Sequence, residues 1–112
     1  MSDCVFCGIV AGDVPATIVA ATDRVLAFRD ISPAAPTHVV VIPRAHHADL
    51  AALSAADPEL AAQVLAVAAE VAAAEGVGAG WRLVFNSGAD AGQTVFHVHG
   101  HVLGGGALPT FG

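Results

Sequence analysis

The segment Gly92-Gln93-Thr94-Val95-Phe96-His97-Val98-His99-Gly100-His101-Val102-Leu103 carries the decisive pattern of this chain. Its alternating β-branched and histidine residues predict a final strand over Thr94–Leu103. Side chains alternate across a strand, so His97, His99 and His101 would share one face at spacings of about 6.5–7 Å. The other face would carry Phe96, Val98, Gly100 and Val102, apolar or small enough to bury against a helix. One histidine is commonly an incidental, satisfied side chain. Three in strict alternation are not, because a buried row of imidazoles is costly unless each ring has a partner. The row therefore points to chemistry.

Outward from it, Trp81–Phe85 reads as a strand and Asn86–Gly92 as a glycine-punctuated loop. Thr17–Ala21 and Val25–Arg29 form a hairpin pattern around Thr22-Asp23-Arg24. A proline-fixed loop, Asp30–Pro36, follows, and the β-branched run Thr37–Ile42 closed by Pro43 predicts a buried strand. The main helix is expected from Ser54, with Asp57 in the style of a capping box and Pro58 in the first turn. Leu60, Val64, Val67 and Val71 follow at helical spacing, and Gly76 ends the run. Strands, helix, strands implies an α+β fold with an antiparallel sheet.

The 112 residues fit one domain, 1–112, and 55% hydrophobic residues can fill a core without disulfide staples. Only 12% of residues are charged, and the net charge is −6. Arg24, Arg29, Arg44 and Arg82 are scattered and there is no lysine, so the basic footprint that polymeric nucleic acid requires is missing. A single nucleotide is still accessible to backbone amides and histidines. No secretory signal stands at the start, and Gln63 and Glu70 interrupt the alanine-rich Leu60–Ala74, so no membrane span is expected. A cytoplasmic, reducing compartment is the expectation. There, Cys4 and Cys7 read as a metal or redox pair before a structural disulfide. A redox motif would follow a strand, for which Met1-Ser2-Asp3 leaves no room, and two cysteines are too few for an iron–sulfur cluster.

His97-Val98-His99-Gly100-His101-Val102-Leu103 resembles the signature of the histidine triad family. Asp30-Ile31-Ser32, Pro36 through Pro43, Asn86-Ser87-Gly88 and Gly92-Gln93-Thr94-Val95 are similar to it in order and spacing, from Cys4 to Gly105. Gly104-Gly105 resembles the histidine triad nucleotide-binding (Hint) branch more than the dinucleoside-polyphosphate hydrolases. The resemblance implies the histidine triad fold: a five-stranded antiparallel sheet, one main helix, a short N-terminal helix, and a two-fold homodimer with joined sheets.

It also implies a hydrolase of purine nucleoside phosphoramidates or acyl-nucleotides that releases the purine nucleoside monophosphate. His99 would attack the α-phosphorus and carry the nucleotidyl group, its other ring nitrogen kept protonated by a neighbouring carbonyl or a second histidine. His101 would meet the phosphate or the departing group, with His38 in support. Amides around Gly92, Gln93 and Thr94, with the Thr94 hydroxyl, would stabilise phosphoryl charge, and Asn86 would sit near the phosphate. Asp30 would take the ribose hydroxyls, and Phe6, Ile9, Phe28 and Ile31 would line the base pocket. Bland alternatives stay open: core packing for Phe28 and Ile31, turn formation for Asp30 and Asn86. Thr94 stands where many relatives carry serine, and the tail after Gly105 lacks a tryptophan found in many Hint relatives.

Bacterial members resemble one further pattern: a cysteine pair, a histidine after the Ile-Pro strand, and the first triad histidine. Here these are Cys4, Cys7, His46 and His97, with His47 as the alternative to His46. They imply one structural Zn2+ whose closed four-ligand site braces the fold; the alternative for the cysteines is two buried thiols. Other functional readings are dinucleoside-polyphosphate hydrolysis, a nucleotide-binding scaffold, and a zinc hydrolase using the triad as ligands.

Overall fold

The computed structural model describes residues 4–111. A short helix α1 (Val5–Ala11) leads into strands β1 (Ile18–Ala21), β2 (Val25–Arg29) and β3 (Thr37–Pro43). Helices α2 (Leu50–Ala56) and α3 (Pro58–Ala74) follow, then β4 (Trp81–Phe85), a 3-10 turn (Ala89–Ala91) and β5 (Gly100–Gly104). The five strands form one antiparallel sheet in the order β1-β2-β3-β5-β4.

Each face of the sheet has its own cover. Val25, Ala27, Val39, Val41 and Val102 pack against Leu60, Val64, Val67, Ala68, Val71 and Ala72 of α3. Leu26, Phe28, Val40 and Ile42 face the other way, against Phe6, Ile9 and Val10 of α1. β3 is buried at every position because it is central and covered on both sides, as its unbroken β-branched run predicts. Each fully buried aliphatic side chain contributes roughly 1.5–3 kcal/mol through apolar burial.

The expected helix start is shifted. Ser54 lies inside α2, and α3 begins at Pro58 with Asp57 as its N-cap, accepting from the Leu60 N–H at 3.0 Å. The same carboxylate pairs with Arg24, which holds the Asp57 carboxyl below its ordinary pKa. A prolyl ring suits the first helical position and clashes with a preceding turn, so the chain breaks there into two helices. Gly76 takes the left-handed φ of +77° that ends α3.

The last strand is also shorter than expected, starting at Gly100 instead of Thr94. Before Gly100 the backbone serves other partners. The Val98 N–H donates to the His47 carbonyl at 2.7 Å, and the His99 ring reaches back to the His97 carbonyl at 2.8 Å. These bonds curl residues 94–99 off the ladder, so the three histidines do not form a flat row. Val98 and Val102 enter the core as expected, but Phe96 is 50% exposed. At Gly100 a Cβ would come within 2.8 Å of Phe85 and 2.9 Å of Leu83, so these β4 side chains can cross β5 only over a glycine.

Candidate active site

His99, His101 and His38 meet on the α1 side of the sheet because β3 and β5 are neighbours. β3 pairs His38 with Leu103 and Val40 with His101, which sets the His38 and His101 rings diagonally across the ladder. The curl before Gly100 then folds His99 over His101, with ring centroids 4.9 Å apart.

The hydrogen bonds fix where the protons lie on these rings. The Nδ1–H of His99 donates to the carbonyl of His97 at 2.8 Å, which leaves the Nε2 lone pair of the neutral ring available. The neighbouring-carbonyl alternative is thus the one found. The Ala34 N–H donates to Nδ1 of His38 at 2.9 Å, so in the neutral His38 ring Nε2 carries the proton. That Nε2–H donates to Nδ1 of His101 at 2.9 Å, and the proton of neutral His101 is therefore on Nε2. Asp30 Oδ2 lies 3.5 Å from His38 Nε2. Burial, followed by the neighbouring His99 and His38, pushes the His101 pKa down to about 4. His101 is therefore a neutral donor at pH 7.

The His99 and His101 rings open on a cleft of about 420 Å³, within the size range of small-molecule sites. Phe6, Ile9, Phe28, Asp30, Ile31, Thr94, His99 and His101 all line it, together with Val5, Val14, Pro15, Ala16, Val40 and Val95. Phe6 stands edge-on to Phe28 and His99, at centroid distances of 5.4 and 5.0 Å. Ile31 is 97% exposed, so core packing does not account for it. Phe28 both packs and lines the cleft. Asp30 likewise does two things: Oδ1 accepts the Ser32 N–H at 2.8 Å in a turn, and Oδ2 faces His38.

Three expected residues lie off this wall. Asn86 borders a separate hollow with Ala34, His38, Val84, His101 and Leu103. The Gly92 and Gln93 N–H groups are bound to the carbonyls of Ala89 and Gly88. The Gln93 side chain is buried behind the cleft. Its Oε1 accepts the Gly88 N–H at 2.8 Å, and its Nε2 donates to Ala48 and Val95 carbonyls at 2.7 and 3.0 Å. In this conformation Gln93 is a brace between loops.

His97 turns away from the cleft into a second cluster. Cys4 Sγ and Cys7 Sγ each lie 3.5 Å from its Nδ1, His46 Nδ1 lies 3.2 Å from it, and Cys7 Sγ is 3.3 Å from His46 Nδ1. All four donor atoms fall within 4.8 Å of one another, a group able to hold a metal ion. A zinc tetrahedron with ordinary bond lengths has edges of about 3.5 Å between sulfur and nitrogen and about 3.3 Å between nitrogens, so the donor set fits. His97 Nε2–H donates to the Pro43 carbonyl at 2.8 Å, leaving Nδ1 free of a proton for a metal. Burial, as the largest cause, holds the His97 pKa below its ordinary value and favours that neutral ring. The Cys4 Sγ also accepts the Cys7 N–H at 3.4 Å, which suits a thiolate. No disulfide joins the two cysteines. His46, and not the alternative His47, belongs to the cluster.

Sequence reasoning missed the aliphatic wall of the cleft. Val40 was visible only as part of a buried strand, and Val14-Pro15-Ala16 carries no pattern that assigns it to a site. Among the described residues no helix is long and apolar enough to cross a membrane.

Comparison with known proteins agrees with this geometry. The HIT domain model matches residues 11–108. An uncharacterized HIT-like protein of Synechocystis is 47% identical over 103 residues, covering 92% of this chain and 90% of the relative. The purine nucleoside phosphoramidase of Escherichia coli is 40% identical over 105 residues, covering 93% and 88%. The crystal structure of a HIT family hydrolase from Legionella pneumophila superposes with a TM-score of 0.91 at 45% identity over 96% of both chains. With its fold and nearly its whole length matched in this way, the chain belongs to the HIT domain family.

Proposed function

We propose that this protein is a nucleotide-binding hydrolase that cleaves purine nucleoside phosphoramidates or acyl-nucleotides at the α-phosphorus, with His99 as nucleophile. One observation carries the reading. The Nδ1–H of His99 is tied to the His97 carbonyl at 2.8 Å, so a ring that lines the cleft keeps its Nε2 lone pair. A ring fixed in this tautomer needs no proton removed before it attacks.

The purine would lie among Phe6, Ile9 and Phe28, and Asp30 would take the ribose hydroxyls. The Nε2 of His99 attacks phosphorus, an N–P bond forms, and the bond to the amine or acyl oxygen breaks with its electron pair leaving on that group. An amine leaves more readily if it gains a proton, which it takes from solvent, while the neutral His101 ring holds the departing group by a hydrogen bond from its Nε2–H. Water then attacks the phosphorus and loses its proton to solvent, and the N–P bond to His99 breaks with its electron pair returning to Nε2, which releases the nucleoside monophosphate. Thr94 lines the cleft, where its hydroxyl and N–H would meet phosphoryl oxygens as charge builds. The Ala34–His38–His101 chain orients the donor throughout.

Zinc is the metal we assign to Cys4, Cys7, His46 and His97: two sulfurs and two nitrogens at tetrahedral spacing suit it better than a harder cation. With four protein ligands it has no open position for water, so it supplies bracing and no Lewis-acid step. We further assign a homodimer with joined sheets and a reducing, cytoplasmic setting, which keeps both sulfurs available as ligands. A single peak at monomer mass in micromolar sedimentation would refute the dimer.

The name of the Escherichia coli relative supports the phosphoramidate class. The test is AMP release from adenosine 5′-phosphoramidate beside diadenosine tetraphosphate. Faster release from the phosphoramidate is expected; preference for the dinucleotide would overturn the substrate assignment.

A further inference from the structure

The metal cluster and the nucleotide cleft share their parts. Phe6 lies between the two cysteines in Cys4-Val5-Phe6-Cys7, so any ion held by both sulfurs also fixes the backbone that carries Phe6. Its ring stands edge-on to the His97 and His99 rings, at centroid distances of 6.1 and 5.0 Å. It also stands 5.4 Å from Phe28, across the cleft's apolar end. His97 is a second link: its ring belongs to the cluster, while its main-chain carbonyl holds the Nδ1–H of His99 at 2.8 Å. α1 has only 7 residues and no buried ones, too short to be stable by itself. Its half-buried Phe6, Ile9 and Val10 pack on the sheet, and the cluster adds a second anchor at its start.

We propose that the Cys4–Cys7–His46–His97 cluster is a positioning device for the nucleotide cleft, so that metal binding and nucleotide binding strengthen one another, with Phe6 as the coupling residue. This rests on the metal and nucleotide readings above. If a bound metal orders the wall that a purine must touch, the nucleotide does not have to order it; by linkage, a bound purine must then hold the metal more firmly by the same factor.

The experiment measures Zn2+ retention by the purified full-length protein against a competing chelator, with and without saturating adenosine 5′-monophosphate. Circular dichroism follows the fold throughout. The expected result is zinc affinity raised at least about fivefold by the nucleotide, the lower end of ordinary coupling between sites. Phe6→Leu keeps both cysteines and the fold, and is expected to reduce that factor to below about twofold. A purely structural metal that acts by holding the protein folded would give the same factor in both proteins, and that result overturns the proposal. So does an unchanged zinc affinity when the nucleotide binds normally. Protein with no bound zinc, or with no affinity for the nucleotide, overturns the underlying reading and the proposal together.

Discussion

Gln93→Ala separates a brace from a phosphate ligand, and the structure sets the size of the effect. The side chain makes three hydrogen bonds of 2.7–3.0 Å to backbone groups of Gly88, Ala48 and Val95, and the residue is 4% exposed. Each such bond contributes about 0.5–1.5 kcal/mol net, and leaving its buried partner unsatisfied costs toward the upper end. The expected loss is about 2–4 kcal/mol, or a fall in Tm of roughly 8–17 °C for a domain of this size. Gln93→Glu sharpens the test. Its carboxylate still accepts from Gly88 but presents an oxygen to two carbonyls that need a donor. Burial raises the pKa of that carboxyl in the folded state, so the penalty is present at neutral pH and eases as the pH falls and the acid regains an O–H. Urea denaturation at pH 7 and pH 5 measures both variants, and calorimetric titration gives their AMP affinity. If Gln93→Ala unfolds within about 0.5 kcal/mol of the wild type while AMP affinity drops tenfold, Gln93 touches the nucleotide and the reasoning is wrong.

Leu60→Ala should cost about 3 kcal/mol in urea denaturation, since Leu60 is fully buried, with AMP affinity of the folded protein unchanged. His46→Ala should lower bound zinc well below one per chain, whereas His47→Ala should leave it at one, as elemental analysis will show. For His101, a folded pKa of about 4 below the ordinary 6.5 means the unfolded chain binds more protons between those values. Its contribution is therefore present above pH 6.5 and lost as the pH falls toward 4. Allowing for solvent screening of a partly exposed ring, the wild type should lose about 1–2 kcal/mol more than His101→Gln across that window. Equal losses in the two proteins would contradict the assigned burial of the ring.

What was legible in the sequence were the features set by local pattern. β2 and β4 fall where their apolar runs place them, and β3 extends only one residue further, because strand period and turn residues act over a few positions. The grouping of Cys4 and Cys7 with His46 and His97 was legible only through family resemblance, and the coordinates bring those four, not His47, together. The straight strand through His97 and His99 was wrong for a physical reason. The His97 ring joins the cluster and its carbonyl binds His99, and these tertiary partners outweigh the alternation of the sequence. Gln93 was named through the resemblance for its backbone amide; its side-chain partners at Gly88, Ala48 and Val95, up to 45 positions away, carry no local pattern and needed coordinates.

The central claim is that His99 is the nucleophile, and turnover of a fluorogenic adenosine 5′-phosphoramidate by the wild type beside His99→Ala tests it most directly. The account predicts release of AMP by the wild type, and loss of at least about a thousandfold in kcat in a variant that still folds and binds AMP, the scale expected when covalent catalysis is removed. A folded His99→Ala protein that retains turnover within about tenfold of the wild type would contradict it.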